Sequence, residues 1–142
     1  MPFVIPTPMA APPRRPPVLT TAGVGFLVLA ILHGAVGGLA LSLGTSTASS
    51  HPLPAATTGL TTTIGIALLA LAALELVAGL LVLRLSGTGR VLGLVVAALE
   101  LLQGIRVLAG GQGGAIFAVA VACFLLYALA TTGDVFARAR RG

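Results

Sequence analysis

The chain contains four long apolar runs that are almost free of charge, and this feature restricts its fold more than any other. The runs cover about 18–43, 61–83, 91–109 and 115–132. A helix needs about 20 apolar residues to cross a bilayer, and in lipid it must satisfy its own backbone hydrogen bonds. Membrane strands are only about 9–11 residues long and alternate in polarity. The sequence therefore predicts an all-α, polytopic membrane protein, a bundle of four transmembrane helices.

The composition agrees with this fold class. Of the 142 residues 57% are hydrophobic and only 8% are charged, whereas a soluble domain carries about 25% charged residues. Four spans use most of the chain and leave no room for a separate soluble domain. A net charge of +5 could suggest nucleic-acid binding, but no soluble basic surface exists to carry it. The expected partner is the lipid bilayer, and nucleic acid is not expected.

Three segments are predicted along the chain. Residues 1–17 hold seven of the nine prolines and should form a disordered cytoplasmic tail. The four-helix transmembrane domain occupies 18–132, and 133–142 is a basic cytoplasmic tail. The first run exceeds the roughly 7–15 residues of a signal-peptide core, so an uncleaved helix is expected. Within the domain, 44–60 is predicted as a long loop because Pro52 and Pro54 exclude a regular helix there.

The placement of arginine predicts the orientation in the membrane. The clusters lie before the first run, between the second and third, and after the fourth, at Arg14, Arg15, Arg84, Arg90, Arg138, Arg140 and Arg141. The loops 44–60 and 110–114 contain none. Both termini should be cytoplasmic, with His51 on the outer side. The absence of Lys and Asn, together with abundant Ala, Gly and Leu, indicates a high-GC bacterial genome and hence a bacterial inner membrane.

Two glutamates interrupt the apolar runs within nearly the same octapeptide. Residues 72–79 and 97–104 agree at six of eight positions, with Glu75 and Glu100 at the same place in each. At 1.5 Å per residue, Glu75 lies about 13–14 Å and Glu100 about 15 Å from the neighbouring arginines, near the bilayer midplane. His33 falls at a similar depth on the first helix. Carboxylates at that depth are costly and usually have a role. A midplane polar cluster of His33, Glu75, Glu100 and Gln103 is therefore predicted.

Small residues flank each of these polar positions with helical spacing. Offsets of three and four residues keep side chains on one helical face. Small side chains let membrane helices approach closely, and polar ones then bond across the seam. The predicted close-packing positions are Ala30, Gly37, Ala72, Gly79, Ala97 and Gly104.

The sequence leaves three interpretations of the cluster open. In the first, one or both carboxyl groups are protonated and hydrogen-bond to each other or to His33, which holds the helices together by about 0.6–2 kcal/mol per bond. In the second, the acids serve a proton- or cation-coupled transporter. In the third, one His and two Glu bind a metal ion as in a facial triad. Only shared depth supports the third, so no metal is predicted, and haem would need a symmetry-related histidine.

The membrane-embedded glutamates give the chain a loose resemblance to the small four-helix multidrug exporters. That resemblance would imply transport, but the essential glutamate of that family is on the first helix, where this chain has His33. The aromatic binding cage also has little counterpart, since Trp is absent and Tyr127 is the single tyrosine. The helix count and the His/Glu-plus-Gly stripes of 18–132 also resemble small four-helix integral membrane proteins of high-GC bacteria. This second resemblance implies no activity.

The remaining polar residues suggest no enzyme. The sequence contains no nucleophile elbow, P-loop, paired-cysteine zinc motif or dinucleotide fingerprint, so no cofactor is expected. Arg106 should extend to the outer headgroups or pair with an acid, and Cys123 should be a small buried hydrophobe. The fourth helix should face lipid or another subunit. We therefore expect an accessory or interaction subunit, as a small homo-oligomer or in a larger membrane complex, with a coupled transporter as the alternative.

Overall fold

The computed structural model describes residues 16–45 and 55–139, and all of its regular structure there is helical. Helix makes up 91% and no strand is present in these ranges. The helices are α1 (Pro17–Thr45), α2 (Ala55–Leu83), α3 (Gly87–Ala109), α4 (Ala115–Thr131) and α5 (Gly133–Ala139). The predicted all-α fold is thus confirmed. The predictions for the proline-rich tail, His51 and the outermost arginines fall outside the described residues.

Three helices in these ranges are long and apolar enough to cross a membrane. They are Pro17–Gly44, Gly59–Leu83 and Gly87–Ala109. A fourth span results if α4 and α5 are taken as one helix bent by 51°. Four spans are expected, and the structure contains three or four. The difference concerns α4, which by itself has 17 residues and is short for a helix that crosses a bilayer.

The helix boundaries differ from those predicted at three places. α2 begins at Ala55, directly after Pro54, so the loop ends before residue 60. α3 begins at Gly87, because the chain turns within 84–86: Leu85 adopts a left-handed φ of 55° and the Ser86 N–H donates to the Leu81 carbonyl at 3.0 Å. That bond is the 6→1 hydrogen bond of a Schellman motif, which ends α2. Residues 133–139 form α5 where a tail was expected, and Phe136 is buried.

Glycines bring α1 and α2 into backbone contact, and this is the most extensive helix pair of the bundle. A Cβ on Gly65 would lie 2.8 Å from the Leu41 nitrogen and 2.9 Å from the Gly37 carbonyl oxygen. A Cβ on Gly79 would lie 3.0 Å from the Gly23 carbonyl oxygen. The two helices therefore touch on both sides of the segment that carries His33. This is the close approach that small residues permit in membranes.

The second helix pair, α3 and α4, is joined by packing and by a cap. A Cβ on Gly104 would lie 2.9 Å from a Val119 methyl group. At the other end, Arg90 Nε donates to the Leu129 carbonyl at 2.9 Å and Nη2 to the Ala130 carbonyl at 3.3 Å. These carbonyls lack partners within α4, and a cation is favourable at a helix C-terminus.

The large buried side chains gather at the end of the bundle that carries the α2–α3 turn. They come from the first half of α1, the last turns of α2, the first turns of α3, the last turns of α4, and α5: Leu19, Phe26, Val82, Val96, Leu125, Leu129 and Phe136. At the opposite end the buried residues, apart from Glu75 and Glu100, are small: Gly37, Gly44, Gly65, Ala72, Gly104, Ala115 and Ala122. The bundle thus has a bulky apolar core at one end and close backbone packing at the other.

We expect Gly65→Ala to destabilise the bundle, because its methyl group would overlap backbone atoms of α1 that cannot move independently. Overpacking of this kind costs about 1–3 kcal/mol, which exceeds the gain in helix propensity. Gly38→Ala is the matched control, since a Cβ there meets nothing within 4 Å. Unfolding by SDS titration in mixed micelles, followed by circular dichroism, measures both. Equal stability of the two variants would contradict backbone contact at Gly65.

Candidate functional site: a buried histidine and glutamate cluster

Three polar side chains from three helices meet inside the bundle. His33 Nδ1 lies 3.0 Å from both Glu75 Oε1 and Glu75 Oε2. It also lies 3.9 Å from Glu100 Oε1. A ring nitrogen of His33 and one carboxylate oxygen from each glutamate all lie within 4.8 Å of one another. Glu75 is completely buried, Glu100 is 6% exposed, and the His33 side chain is 19% exposed.

The positions of these side chains follow from the helix packing. α1 and α2 are antiparallel, and contact between Gly23 and Gly79 on one side and Gly37 and Gly65 on the other fixes their register. His33 lies between the two α1 contacts, so its imidazole reaches Glu75 on α2. α3 follows α2 through a short turn, which places Glu100 at the same level. The octapeptide repeat therefore brings its two acids to one place, as the sequence predicts.

The two glutamates are not equivalent. Glu75 receives the His33 hydrogen bond on both oxygens, whereas Glu100 Oε1 is buried and has no hydrogen-bond partner among the described residues. A buried polar atom without a partner costs about 1–3 kcal/mol, and more when it is charged. The cluster is thus complete for a helix-pairing bond between α1 and α2, but it leaves an oxygen free on α3.

Gln103 does not join this cluster, contrary to the sequence prediction. It is exposed, and no hydrogen bond in the described ranges connects it to His33 or to either acid. With Arg106 it borders an open groove of about 680 Å³ between α2 and α3, whose other lining residues are Ala67, Ala70, Leu71, Leu74, Leu99, Leu102 and Val107. In the described part of the chain, Arg106 pairs with neither glutamate. Arg106 is exposed, and its extension to the outer headgroups stays a prediction.

The six predicted close-packing positions fall at different interfaces. Gly37 and Gly79 lie where α1 meets α2, and Gly104 lies against α4. Ala97 is completely buried in the apolar core. Ala30 and Ala72 are largely buried and line a small pocket of about 210 Å³ between α1 and α2. The small-residue stripe on α3 therefore serves α4 as well as the polar cluster.

α4 differs from the sequence expectation. Its Leu125, Ala128 and Leu129 belong to the apolar core, so only part of its surface is available to lipid or to another subunit. Cys123 was expected to be buried, yet it is exposed, on the helix side that also carries Phe124 and Tyr127. The apolar stripe of α4 is hard to detect in a sequence whose every face is apolar. The sequence also does not predict that Arg90 caps the C-terminus of α4. An arginine next to a turn is equally well explained by the orientation of the chain in the membrane.

The arrangement can act chemically in two ways. A histidine between two carboxyl groups can donate, accept or share protons. The same three groups can also surround a cation, since two carboxylate oxygens and an imidazole nitrogen are all electron-pair donors. Both uses need at least one buried acceptor that is not already saturated, and Glu100 Oε1 is such an acceptor.

Comparisons with known proteins identify no relative of this chain. No family model, curated protein sequence or solved structure matches the chain.

We expect a thermodynamic coupling between His33 and Glu75, because removal of either side chain leaves the other without its hydrogen-bond partner in an apolar interior. A double-mutant cycle of His33→Leu, Glu75→Leu and the pair should give a coupling of about 1–2 kcal/mol in micelles. Glu75→Gln is the control: its amide oxygen still accepts the His33 bond, so its loss should be under about 1 kcal/mol. Additive losses from the two single Leu variants would show that the pair does not stabilise α1 against α2.

Proposed function

We propose that this chain is a small integral protein of the bacterial inner membrane, with both termini in the cytoplasm, that acts as an accessory or interaction subunit. In this role it assembles with itself or with other membrane proteins, and the polar cluster sets the internal geometry of the bundle. The observation that carries the proposal is the direct bond of the half-buried His33 to the completely buried Glu75. Neither glutamate lines the α2–α3 groove or the small α1–α2 pocket.

The outer surface supports an assembly role. Large apolar side chains are exposed on all four long helices, among them Ile31, Leu60, Leu102, Phe117 and Tyr127. Such a surface requires lipid or other apolar helices around it. Gln103 and Arg106 are exposed polar side chains beside the α2–α3 groove. A scaffold of this kind has a binding surface and a rigid centre, and it needs no reactive group.

A second candidate function is a proton- or cation-coupled transporter, and Glu100 is the observation that favours it. A buried carboxylate oxygen without a partner is available to take up a proton or a cation. The three helices that meet at the cluster also contain two similar glutamate segments on adjacent antiparallel helices, which is a frequent setting for midplane sites.

Cysteine labelling tests the orientation. In a Cys123→Ser background, Gln112→Cys in the α3–α4 turn should react with a membrane-impermeant maleimide added to spheroplasts. Thr88→Cys at the start of α3 is the matched control and should react only after permeabilisation, because arginines flank that turn. Both residues are exposed, so accessibility within the fold does not distinguish them. The reverse labelling pattern would overturn the proposed orientation.

Flux measurements separate the two candidate functions. In proteoliposomes with an imposed pH gradient, the accessory role predicts no proton or cation flux above that of protein-free vesicles, and Glu75→Gln and Glu100→Gln should keep the oligomeric state of the native chain. Mass measurement of the detergent-solubilised protein by light scattering checks the second point. A flux that the native chain supports and both Gln variants abolish, with the oligomer intact, would establish transport instead.

A further inference from the structure

The free oxygen of Glu100 needs an occupant that a helix-pairing role does not supply. It is buried, it belongs to a residue that is only 6% exposed, and it lies 3.9 Å from the nitrogen that already serves Glu75. No other side chain in the described ranges donates to it. Unpaired buried acceptors are rare in folded proteins and call for an explanation, and a bound ion is one that also uses the neighbouring His33 and Glu75.

We propose that His33, Glu75 and Glu100 bind one divalent transition-metal ion, with Zn²⁺ as the preferred ion and Mn²⁺ as a weaker one. Each residue comes from a different helix, and their ligand atoms lie within 4.8 Å of one another. In tetrahedral coordination, two atoms bound to one Zn²⁺ at about 2.0–2.2 Å are about 3.3–3.6 Å apart. His33 Nδ1 lies 3.0 Å from the Glu75 oxygens and 3.9 Å from Glu100 Oε1, so side-chain shifts of about 1 Å would bring the three groups to this spacing.

The charges favour a divalent ion at this depth. Zn²⁺ takes the place of the proton between His33 Nδ1 and Glu75, and this proton is released to solvent. The two carboxylates and the neutral imidazole that remain carry a charge of −2, which a divalent cation cancels. An uncompensated charge in a low-dielectric interior is destabilising, whereas a neutral complex avoids most of that penalty. A monovalent cation would leave one negative charge. A bound Zn²⁺ also gives Glu100 Oε1 the partner that the protein lacks.

The donor types select among the divalent ions. Mg²⁺ and Ca²⁺ prefer oxygen ligands only, and Cu(I) prefers thiolate or thioether sulfur. A set of one imidazole and two carboxylates suits Zn²⁺, Fe²⁺ and Mn²⁺, and Zn²⁺ binds more tightly than Mn²⁺ at a given site. Three protein ligands leave a fourth Zn²⁺ position open.

This inference goes beyond the proposed function, because metal binding is measured on the isolated protein whatever its partners. The test uses the full chain, purified without a polyhistidine tag, stripped with EDTA and dialysed in detergent against Zn²⁺, with metal content read by mass spectrometry. We expect one Zn²⁺ per chain and none of Mg²⁺ under the same conditions. Glu100→Gln keeps the size of the side chain but removes its charge, and should weaken Zn²⁺ binding at least about 100-fold.

Asp134→Asn is the matched control. Asp134 is the only other acid of the chain, lies exposed on α5 and pairs with Arg138, so its variant should bind Zn²⁺ like the native chain. A second measurement covers the case in which Glu100→Gln does not fold: Zn²⁺ should raise the unfolding temperature of the native chain, and Mg²⁺ should not.

Two outcomes would overturn the metal site. One is a native chain that binds no Zn²⁺ and shows no thermal shift, which would mean that only protons occupy the cluster. The other is binding that persists in Glu100→Gln but disappears in Cys123→Ser or His51→Gln, which would place the metal elsewhere. Neither outcome affects the coupling of His33 to Glu75, so failure of the metal site is distinguishable from failure of the structural role.

Discussion

The hydrogen bond between His33 and Glu75 is the interaction on which the arrangement of α1 and α2 depends. Glu75 is completely buried in a helix long and apolar enough to span a bilayer, where water is not available to solvate a carboxyl group. It can remain there only if another helix brings a donor to it. The glycine contacts at Gly23–Gly79 and Gly37–Gly65 let α1 approach closely enough to do so. Close packing and polar bonding are therefore two parts of one interaction. The glycine contacts allow the His33–Glu75 bond to form, and that bond lets a carboxyl group stay buried between α1 and α2.

The cluster lies where the character of the interior changes. Toward the α2–α3 turn the core consists of bulky side chains such as Phe26 and Leu129, while toward the other end the buried residues apart from Glu75 and Glu100 are glycine and alanine. α3 contacts α2 less extensively than α1 does, and an open groove lies between them. A carboxylate with an unpartnered oxygen beside the His33–Glu75 pair suits a site that takes up a cation, and the proposed Zn²⁺ site uses this asymmetry.

The sequence allowed the helical fold and the depth of the polar residues to be predicted because both depend on local properties. Run lengths set the number of helices, and distances along a helix set how far His33, Glu75 and Glu100 lie from its ends. Boundaries were less accurate where glycine, serine and threonine are compatible with either a turn or a helix, as at Ala55 and Gly87. Gln103 was placed in the cluster because it lies one turn from Glu100, but the direction of a side chain around the helix depends on its neighbours. In α4 every face is apolar, so its buried stripe left no sequence signal, and Cys123 was assigned to the wrong side.

By itself the sequence determined that the chain is a helical bundle of membrane-spanning length, with two acids and a histidine at one level. Hydrophobic length and helical rise are sufficient for that conclusion. Only the tertiary structure decided that His33 pairs with Glu75 while an oxygen of Glu100 stays free. The reason is that hydrogen bonds need atoms from different helices within about 3 Å, and helix rotation and register are set by backbone contacts among glycines far apart in the chain.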